Sequence, residues 1–550
     1  MRHQAALFER LEPRQMMSGS TIPKTTTPAT GLAAVYYAND DFTGASTTRT
    51  DSTVNFSWNG AAPATGIGGK NFSARWTGNV IAVKAGTYTF SATFTDGARL
   101  WVNNHLLIND WTTNAAPVSK SGTISLGAGA QASIRLEYFD VTDPASVHLY
   151  WSGPSLSKAV IPSKQLRPTT DPLLGEIDQA MGFARQQLNQ TLADLNGKTT
   201  AFPTVTNSNG TWQTSNKDYW TSGFFAAELW QMYQRTNNSY WKQEATTWTL
   251  PLQSEDTQPD DTVFRIFNEY YPLYEATGNK AYAQVIFNAA TARVATYNSA
   301  VGAFHSVEIP SHSGNPAANF GVLTDQTMDL SMVFWAAKQT GNTSWATKAL
   351  QTEKTLMNNM MRPDGSVYQW GYFNSTTGKV VSLENNQGYS DASTWSRGQA
   401  WAINSFGTAY LDTGDSTMLT AAEKVANYFI GHLPADHIPY WDFDAPGIPN
   451  TYRDTSAASI AASGLLQLAS LEKNSANATK YRSAAVAILN SLLSSSYLAK
   501  GSTSHGILLH GAWFVPSPIN NGDASTIWGD YYLLQAMNEY LAMPHSLPGT

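Results

Sequence analysis

Two periods of apolar residues divide the chain. From Gly31 to about Ile161, apolar positions recur every second residue in short runs. Thr87 to Phe94 alternates in this way, as does Ser133 to Phe139. Val80–Val83 and Val147–Trp151 are further short apolar runs, and Gly and Asp/Asn clusters separate them. This pattern predicts an antiparallel β-sandwich or barrel. After Asp171-Pro172 the period becomes helical. Asp178 to Leu195 is an amphipathic run. A unit then recurs, in which an apolar, small-residue-rich helix is followed by a stop such as Thr-Gly-Asn and a more polar helix. The apolar helices are expected at Trp220–Arg235, Asp261–Ala276, Asp325–Gln339, Arg397–Asp412, Thr455–Leu471 and Ile527–Leu541. Glycine after a helix reaches left-handed angles without penalty, which suits the stops. Helical hairpins of this kind bury their faces only against neighbours. Six of them closing into a ring give an (α/α)6 barrel, and an open solenoid is the alternative. The long loops before the inner helices would then meet at one mouth.

These periods predict a multidomain chain. Residues 1–28 form an N-terminal segment and linker, residues 29–168 the β-sandwich, and residues 169–550 the all-α barrel. Charge and composition narrow the function. Net charge is −7 and no basic field is evident, which argues against a nucleic-acid partner or a membrane surface. No run of about 18 or more apolar residues occurs, so no transmembrane helix is expected. The absence of Cys excludes disulfides, thiolate metal sites and cysteine nucleophiles. The 18 Trp are many enough to furnish either a packed aromatic core or a sugar-stacking cleft. Residues 1–20 lack the apolar core of a standard secretory signal. Leu11-Glu12-Pro13-Arg14 resembles a short segment found on exported bacterial proteins, and Thr21–Thr30 reads as a linker.

The loops before the apolar helices collect the candidate chemistry. Asp261 and Asp325 stand at successive helix starts, where Asp is a favoured N-cap. A helix N-terminus favours the ionised carboxylate, so a general acid there needs burial or a second carboxylate to raise its pKa. Paired carboxylates with separated pKa values do acid–base work on glycosides. Arg397 suits a carboxylate-bearing sugar, because a guanidinium fork binds bidentately. Trp220, Gln369, Gln387, Trp395 and Trp401 complete a polar, aromatic-lined candidate pocket. No HExxH, P-loop or GxSxG motif is present, and no metal or cofactor is implied.

Two resemblances follow from longer motifs. Phe72-Ser73-Ala74-Arg75-Trp76-Thr77-Gly78, Gly86-Thr87-Tyr88-Thr89-Phe90 and Asp96-Gly97-Ala98-Arg99-Leu100-Trp101-Val102 resemble the protective-antigen-type β-sandwich, the PA-fourteen domain. Such domains are usually taken as sugar-binding, and some hold calcium on acidic pairs. Asp96 is read here as a turn residue. Leu323-Thr324-Asp325-Gln326-Thr327-Met328-Asp329-Leu330, Gln387-Gly388-Tyr389-Ser390-Asp391, Trp395-Ser396-Arg397-Gly398-Gln399-Ala400-Trp401 and Trp528-Gly529-Asp530-Tyr531-Tyr532 resemble glycoside hydrolase family 88, the unsaturated glucuronyl hydrolases. The resemblance implies the same (α/α)6 fold. It makes Asp325 the general acid/base and Asp261 its assistant, in hydration of a 4,5-unsaturated uronic acid. It places Trp220, Gln387, Arg397 and Trp401 around the sugar.

Two departures stand out. Asp260 occupies the place of the family's His before Asp261, and Gln369 replaces a His usual near the site. The expected partners are an acidic oligosaccharide at the barrel and polysaccharide at the sandwich. The expected location is extracellular, at the cell surface or in the periplasm of a bacterium. An unsaturated rhamnogalacturonyl hydrolase and a non-catalytic carbohydrate-binding protein are the competing readings.

Overall fold

The computed structural model describes residues 29–103, 105–142, 144–306, 310–516 and 522–542. The export-type segment read at residues 1–28 lies outside the described residues. Two antiparallel sheets form the first part. One runs Ser46–Asp51, Leu32–Tyr37, Phe72–Ile81, Gln131–Asp140, Gly97–Val102, His105–Asp110, with Leu166–Pro168 also paired to Phe72–Ile81. The other runs Leu156–Val160, Ser146–Gly153, Gly86–Phe94, Val118–Leu126, with Asn55–Ser57 beside Ser146–Gly153. The alternation in the sequence becomes the core between them. Phe72, Ala74 and Trp76 of one sheet are buried with Tyr88, Phe90 and Trp151 of the other. Asp96 takes left-handed angles at φ 50°, and its carboxylate accepts from the Val141 and Thr142 N–H groups at 3.1 and 3.0 Å. That is a turn. Among the described residues no group of three His, Asp or Glu could hold a metal ion.

Twelve helices follow among the described residues: α1 (Pro172–Leu195), α2 (Phe224–Thr236), α3 (Ser239–Thr249), α4 (Asn268–Thr277), α5 (Lys280–Ala295), α6 (Leu330–Thr340), α7 (Thr343–Asn359), α8 (Ser396–Thr413), α9 (Ser416–Gly431), α10 (Thr455–Leu471), α11 (Ser475–Leu492) and α12 (Ile527–Ala542). The even-numbered helices form a closed inner ring. α2 packs on α4, α6 on the turn leading into α4, α6 on α8, α8 on α10, α10 on α12, and α12 back on α2. The ring excludes the open solenoid. The inner helices carry the apolar runs because they are enclosed on every side. Every residue of α10 from Thr455 to Leu466 is buried.

The connections explain the mouth. Most inner-to-outer turns are two residues long and pass through left-handed Asn237, Gly278, Gly341 or Gly414. The outer-to-inner connections are long and all enter the N-terminal ends of the inner helices. No described helix is long and apolar enough to cross a membrane.

Candidate active site

Strand pairing delivers Asp325 to the mouth. Phe320–Leu323 pairs with Trp370–Phe373, with Leu323 opposite Trp370. Just beyond, the Thr324 N–H donates to the Gln369 carbonyl at 2.9 Å and its hydroxyl to the Tyr368 carbonyl at 2.8 Å. Asp325–Asp329 then forms a 3₁₀ turn, and α6 starts only at Leu330. The sequence placed the helix start at Asp325. The difference arises at Thr327, whose N–H and hydroxyl both return to the Thr324 carbonyl and tighten the turn. The carboxylate does not serve as a cap through its Oδ1, which is buried with no hydrogen-bond partner. Burial pushes the Asp325 carboxyl up to about 7, against the pull of the Arg397 guanidinium.

Asp261 sits in the loop that enters the neighbouring inner helix. It is left-handed at φ 53°, a conformation that Asp tolerates better than most residues. A π-helical turn, Val263–Phe267, separates it from α4, whereas the periodicity had placed a regular helix from Asp261. π-turns are frequent at functional sites. Gln326, next to Asp325, donates from Nε2 to Asp261 Oδ1 at 3.4 Å, so the two carboxylates sit on segments in contact. Burial is the largest cause that pushes Asp261 up to about 7. The charges of Asp329, Asp260 and Asp325 add to it, and Arg265 opposes.

Two members of this cluster had no role in the sequence reading. Asp329 is fully buried. Its Oδ1 accepts from the Val263 N–H at 2.8 Å and its Oδ2 pairs with Arg293 Nε at 3.3 Å. Arg293, at the end of α5, also donates to the His305 carbonyl at 2.6 Å and the Gln326 carbonyl at 3.4 Å, and lies 3.9 Å from Asp260 Oδ1. The available signal was a carboxylate four residues after Asp325 at the start of an apolar, buried helix, where a charge requires a partner.

Arg397 opens α8 and is buried. Its Nη1 bonds Asp454 Oδ2 at 2.8 Å and the Ala512 carbonyl, and its Nη2 bonds Gln387 Oε1 at 2.7 Å and the Trp513 carbonyl at 2.6 Å. Both amino groups of the fork are therefore engaged by the protein, one of them by the carboxylate that caps α10. Gln387 is half-buried. Gln369 holds it in place, its Oε1 accepting from the Asn386 and Gln387 N–H groups at 2.9 and 2.8 Å. Asp454 caps α10 through the Ser456 and Ala457 N–H groups as well as pairing with Arg397.

The tryptophans divide. Trp220 is half-buried, 4.9 Å from Trp528, and keeps part of its surface open. Trp395 is buried under the Arg397 guanidinium at 4.4 Å. Trp401 is 1% exposed, between Phe264 at 5.2 Å and Tyr532 at 5.1 Å. Trp395 and Trp401 thus stand with the buried first turns of α8, enclosed by the ring. Tyr219 and Trp513 meet edge to face at 6.4 Å, both partly exposed.

Comparison with known proteins completes the picture. The PA14 domain model matches residues 28–165. The unsaturated glucuronyl hydrolase of Formosa agariphila is 32% identical over 327 residues, covering 58% of this chain and 79% of that protein. A solved unsaturated glucuronyl hydrolase specific for heparin is 31% identical and superposes with a TM-score of 0.62, covering 66% of this chain and 96% of that one. The chain belongs to the unsaturated glucuronyl hydrolase family. It is a glycoside hydrolase whose barrel carries a PA14 domain in front of it. Among its relatives, the unsaturated glucuronyl hydrolase of Bacillus sp. strain GL1 is 27% identical over 365 residues, 65% of this chain and 95% of that protein.

Proposed function

We propose that this glycoside hydrolase removes the 4,5-unsaturated uronic acid from the non-reducing end of oligosaccharides made by polysaccharide lyases. The observation that carries the proposal is the pair Asp325 and Asp261. Both are lifted to about 7, and their segments meet at one mouth. A carboxyl that holds its proton near neutrality is a competent general acid, and its conjugate base is a competent general base.

Asp325 donates its proton to C4 of the vinyl ether, and positive charge develops at C5, shared with the ring oxygen. Water adds at C5 and returns its proton to Asp325, so the acid is regenerated. The C5 hemiketal opens to a ketone, which leaves the anomeric carbon as a hemiacetal. That hemiacetal collapses to an aldehyde and releases the remaining saccharide. Burial keeps Asp325 protonated, and the charges of Asp329, Asp260 and Asp325 add to burial in raising Asp261, its assistant. Gln387 and the half-open Trp220 position the sugar, and Arg397 orients Gln387 and supplies positive charge near the substrate carboxylate. None of these steps calls on a metal or cofactor.

The PA14 domain is proposed to hold polysaccharide close to the barrel, and the enzyme to act outside the cytoplasm. The relatives' names point to glycosaminoglycan fragments: heparin for one solved structure, and chondroitin disaccharide for an enzyme of Streptococcus pneumoniae 27% identical over 373 residues. The test is loss of ultraviolet absorbance of the conjugated double bond on a panel of unsaturated disaccharides, with wild type and Asp325→Asn side by side. Loss with wild type alone supports the proposal, and the best panel member names the substrate. No loss across heparin-, chondroitin- and hyaluronan-derived members overturns it.

A further inference from the structure

Between Asp325 and Asp261 lies a carboxylate with no place in that reaction. Asp329 is completely buried. An ionisable group is expensive to bury without work for it to do, and a neutral isostere would hold the same backbone contact. Its contacts indicate the work. One oxygen takes the N–H of Val263, the residue at which the chain leaves the left-handed turn of Asp261 for the π-turn. The other faces Arg293, which also grips the Gln326 carbonyl beside Asp325. A single buried ion pair therefore ties both carboxylate-bearing segments together from behind.

We propose that Asp329, with Arg293, is the positioning residue that sets both the spacing of the Asp261–Asp325 pair and the working proton state of Asp261. The inference rests on the assignment of that pair to the reaction. Asp329 holds the strained turn that aims Asp261, and its charge disfavours ionisation of Asp261. The charged and titratable groups facing Asp261 are Asp329, Asp260, Asp325 and Arg265, with Tyr219 close by. Arg265 is itself tied to Glu255, and Arg397 acts on Asp325. Among the carboxylates around Asp261, Asp329 contributes the largest effect, ahead of Asp260 and Asp325. Asp260 occupies the position of the histidine noted above, so the buried Asp329–Arg293 pair offers a way to tune the site without an imidazole.

The experiment is the pH profile of kcat and kcat/KM on an unsaturated disaccharide for wild type, Asp329→Asn and Arg293→Gln. Asp329→Asn keeps an acceptor for the Val263 N–H and removes only charge. Its profile is expected to move toward acid by roughly one pH unit, with KM little changed. Arg293→Gln removes the opposing charge and is expected to move the profile toward alkali. Carboxyl-carbon NMR of Asp-labelled protein, titrated without substrate, reads the same displacement if either variant is too slow to assay. Asp329→Ser, if Asn fails to fold, repeats the charge removal with a smaller side chain.

Profiles that fall in height without moving, together with an unmoved Asp261 carboxyl resonance, overturn the proposal and leave Asp329 a packing residue. A wild type inert on the double bond overturns the underlying pair and this inference with it. An active wild type whose Asp325→Asn variant is dead, but whose Asp329→Asn profile is unmoved, overturns the inference alone.

Discussion

Two clusters of buried charge make opposite use of the same residue types. Where the sandwich meets the barrel, four arginines surround two carboxylates. Arg75 pairs with Glu137 at 2.9 Å and with Asp178, and Arg235 pairs with Asp178 at 3.1 Å and Glu137 at 3.6 Å. Arg99 pairs with Glu137 at 2.7 Å, and Arg135 lies 3.9 Å from it. Burial alone would raise the Glu137 carboxyl, but these guanidinia pull it well below the usual carboxylate range. At the barrel mouth four carboxylates, Asp260, Asp261, Asp325 and Asp329, share Arg293 and the more distant Arg265 and Arg397. There burial prevails, and three of the four stand at about 6 to 7. The first cluster is a lock between two parts of the chain, because its guanidinia hold the Glu137 carboxylate in its charged form. The second is a proton store. The ratio of guanidinium to carboxylate decides which one a buried cluster becomes.

The comparison is broken most severely at Asp325. Asp325→Asn removes the only proton donor proposed for C4, so kcat is expected to fall by about 10³-fold or more, with substrate still bound. Steady-state rates and equilibrium binding on one unsaturated disaccharide check both halves of that statement. Next is the lock. Asp178→Ala leaves Arg75 and Arg235 without their shared partner and is expected to cost about 3–5 kcal/mol in urea unfolding. The position of the pH–activity optimum should not change, because the two clusters share no residue.

The clusters also differ in the sign of their pH dependence. Glu137 is depressed in the folded state, so its contribution to stability is present above its ordinary value of 4.5 and is lost as pH falls through the folded value. The catalytic pair works the other way. Asp325 must carry a proton, so kcat is expected to decline as pH rises through about 7. Acid unfolding and an alkaline loss of activity in the same buffer series would display both signs.

The smallest effect sharpens the comparison from a third position. Glu269 of α4 is buried, and neither carboxyl oxygen has a hydrogen-bond partner. Burial raises its carboxyl well above 4.5, so the folded state holds a proton that the unfolded chain releases. Glu269→Gln is expected to raise the urea midpoint at pH 7, and the gain should vanish below about pH 4.5, where both states are protonated.

What was legible in the sequence was whatever repeats. The alternation of Thr87–Phe94 and the six apolar helices gave the sandwich and the closed ring, because period and burial are linked directly. The Thr-Gly-Asn stops located the short turns, and by elimination the mouth. What escaped was whatever depends on distance between segments far apart in the chain. The 3₁₀ turn at Asp325 and the left-handed Asp261 are imposed by contacts with Tyr368, Gln369, Gln326 and Asp329, and no local propensity encodes them. The partners of Arg397 could not be named because Asp454, Ala512 and Trp513 lie 57 to 116 residues away. For Trp401 the sequence left core and cleft open, because an aromatic in a motif looks alike in both.

The central claim is that Asp325 protonates a carbon of the double bond, and does not assist attack at the anomeric carbon. The direct test is the order of events in a rapid-mixing experiment on one unsaturated disaccharide, recording ultraviolet absorbance and release of the second sugar together. The account predicts that absorbance falls before or together with sugar release, and that Asp325→Asn abolishes both. Sugar released ahead of absorbance loss, with the double bond surviving in the freed uronic acid, would contradict it.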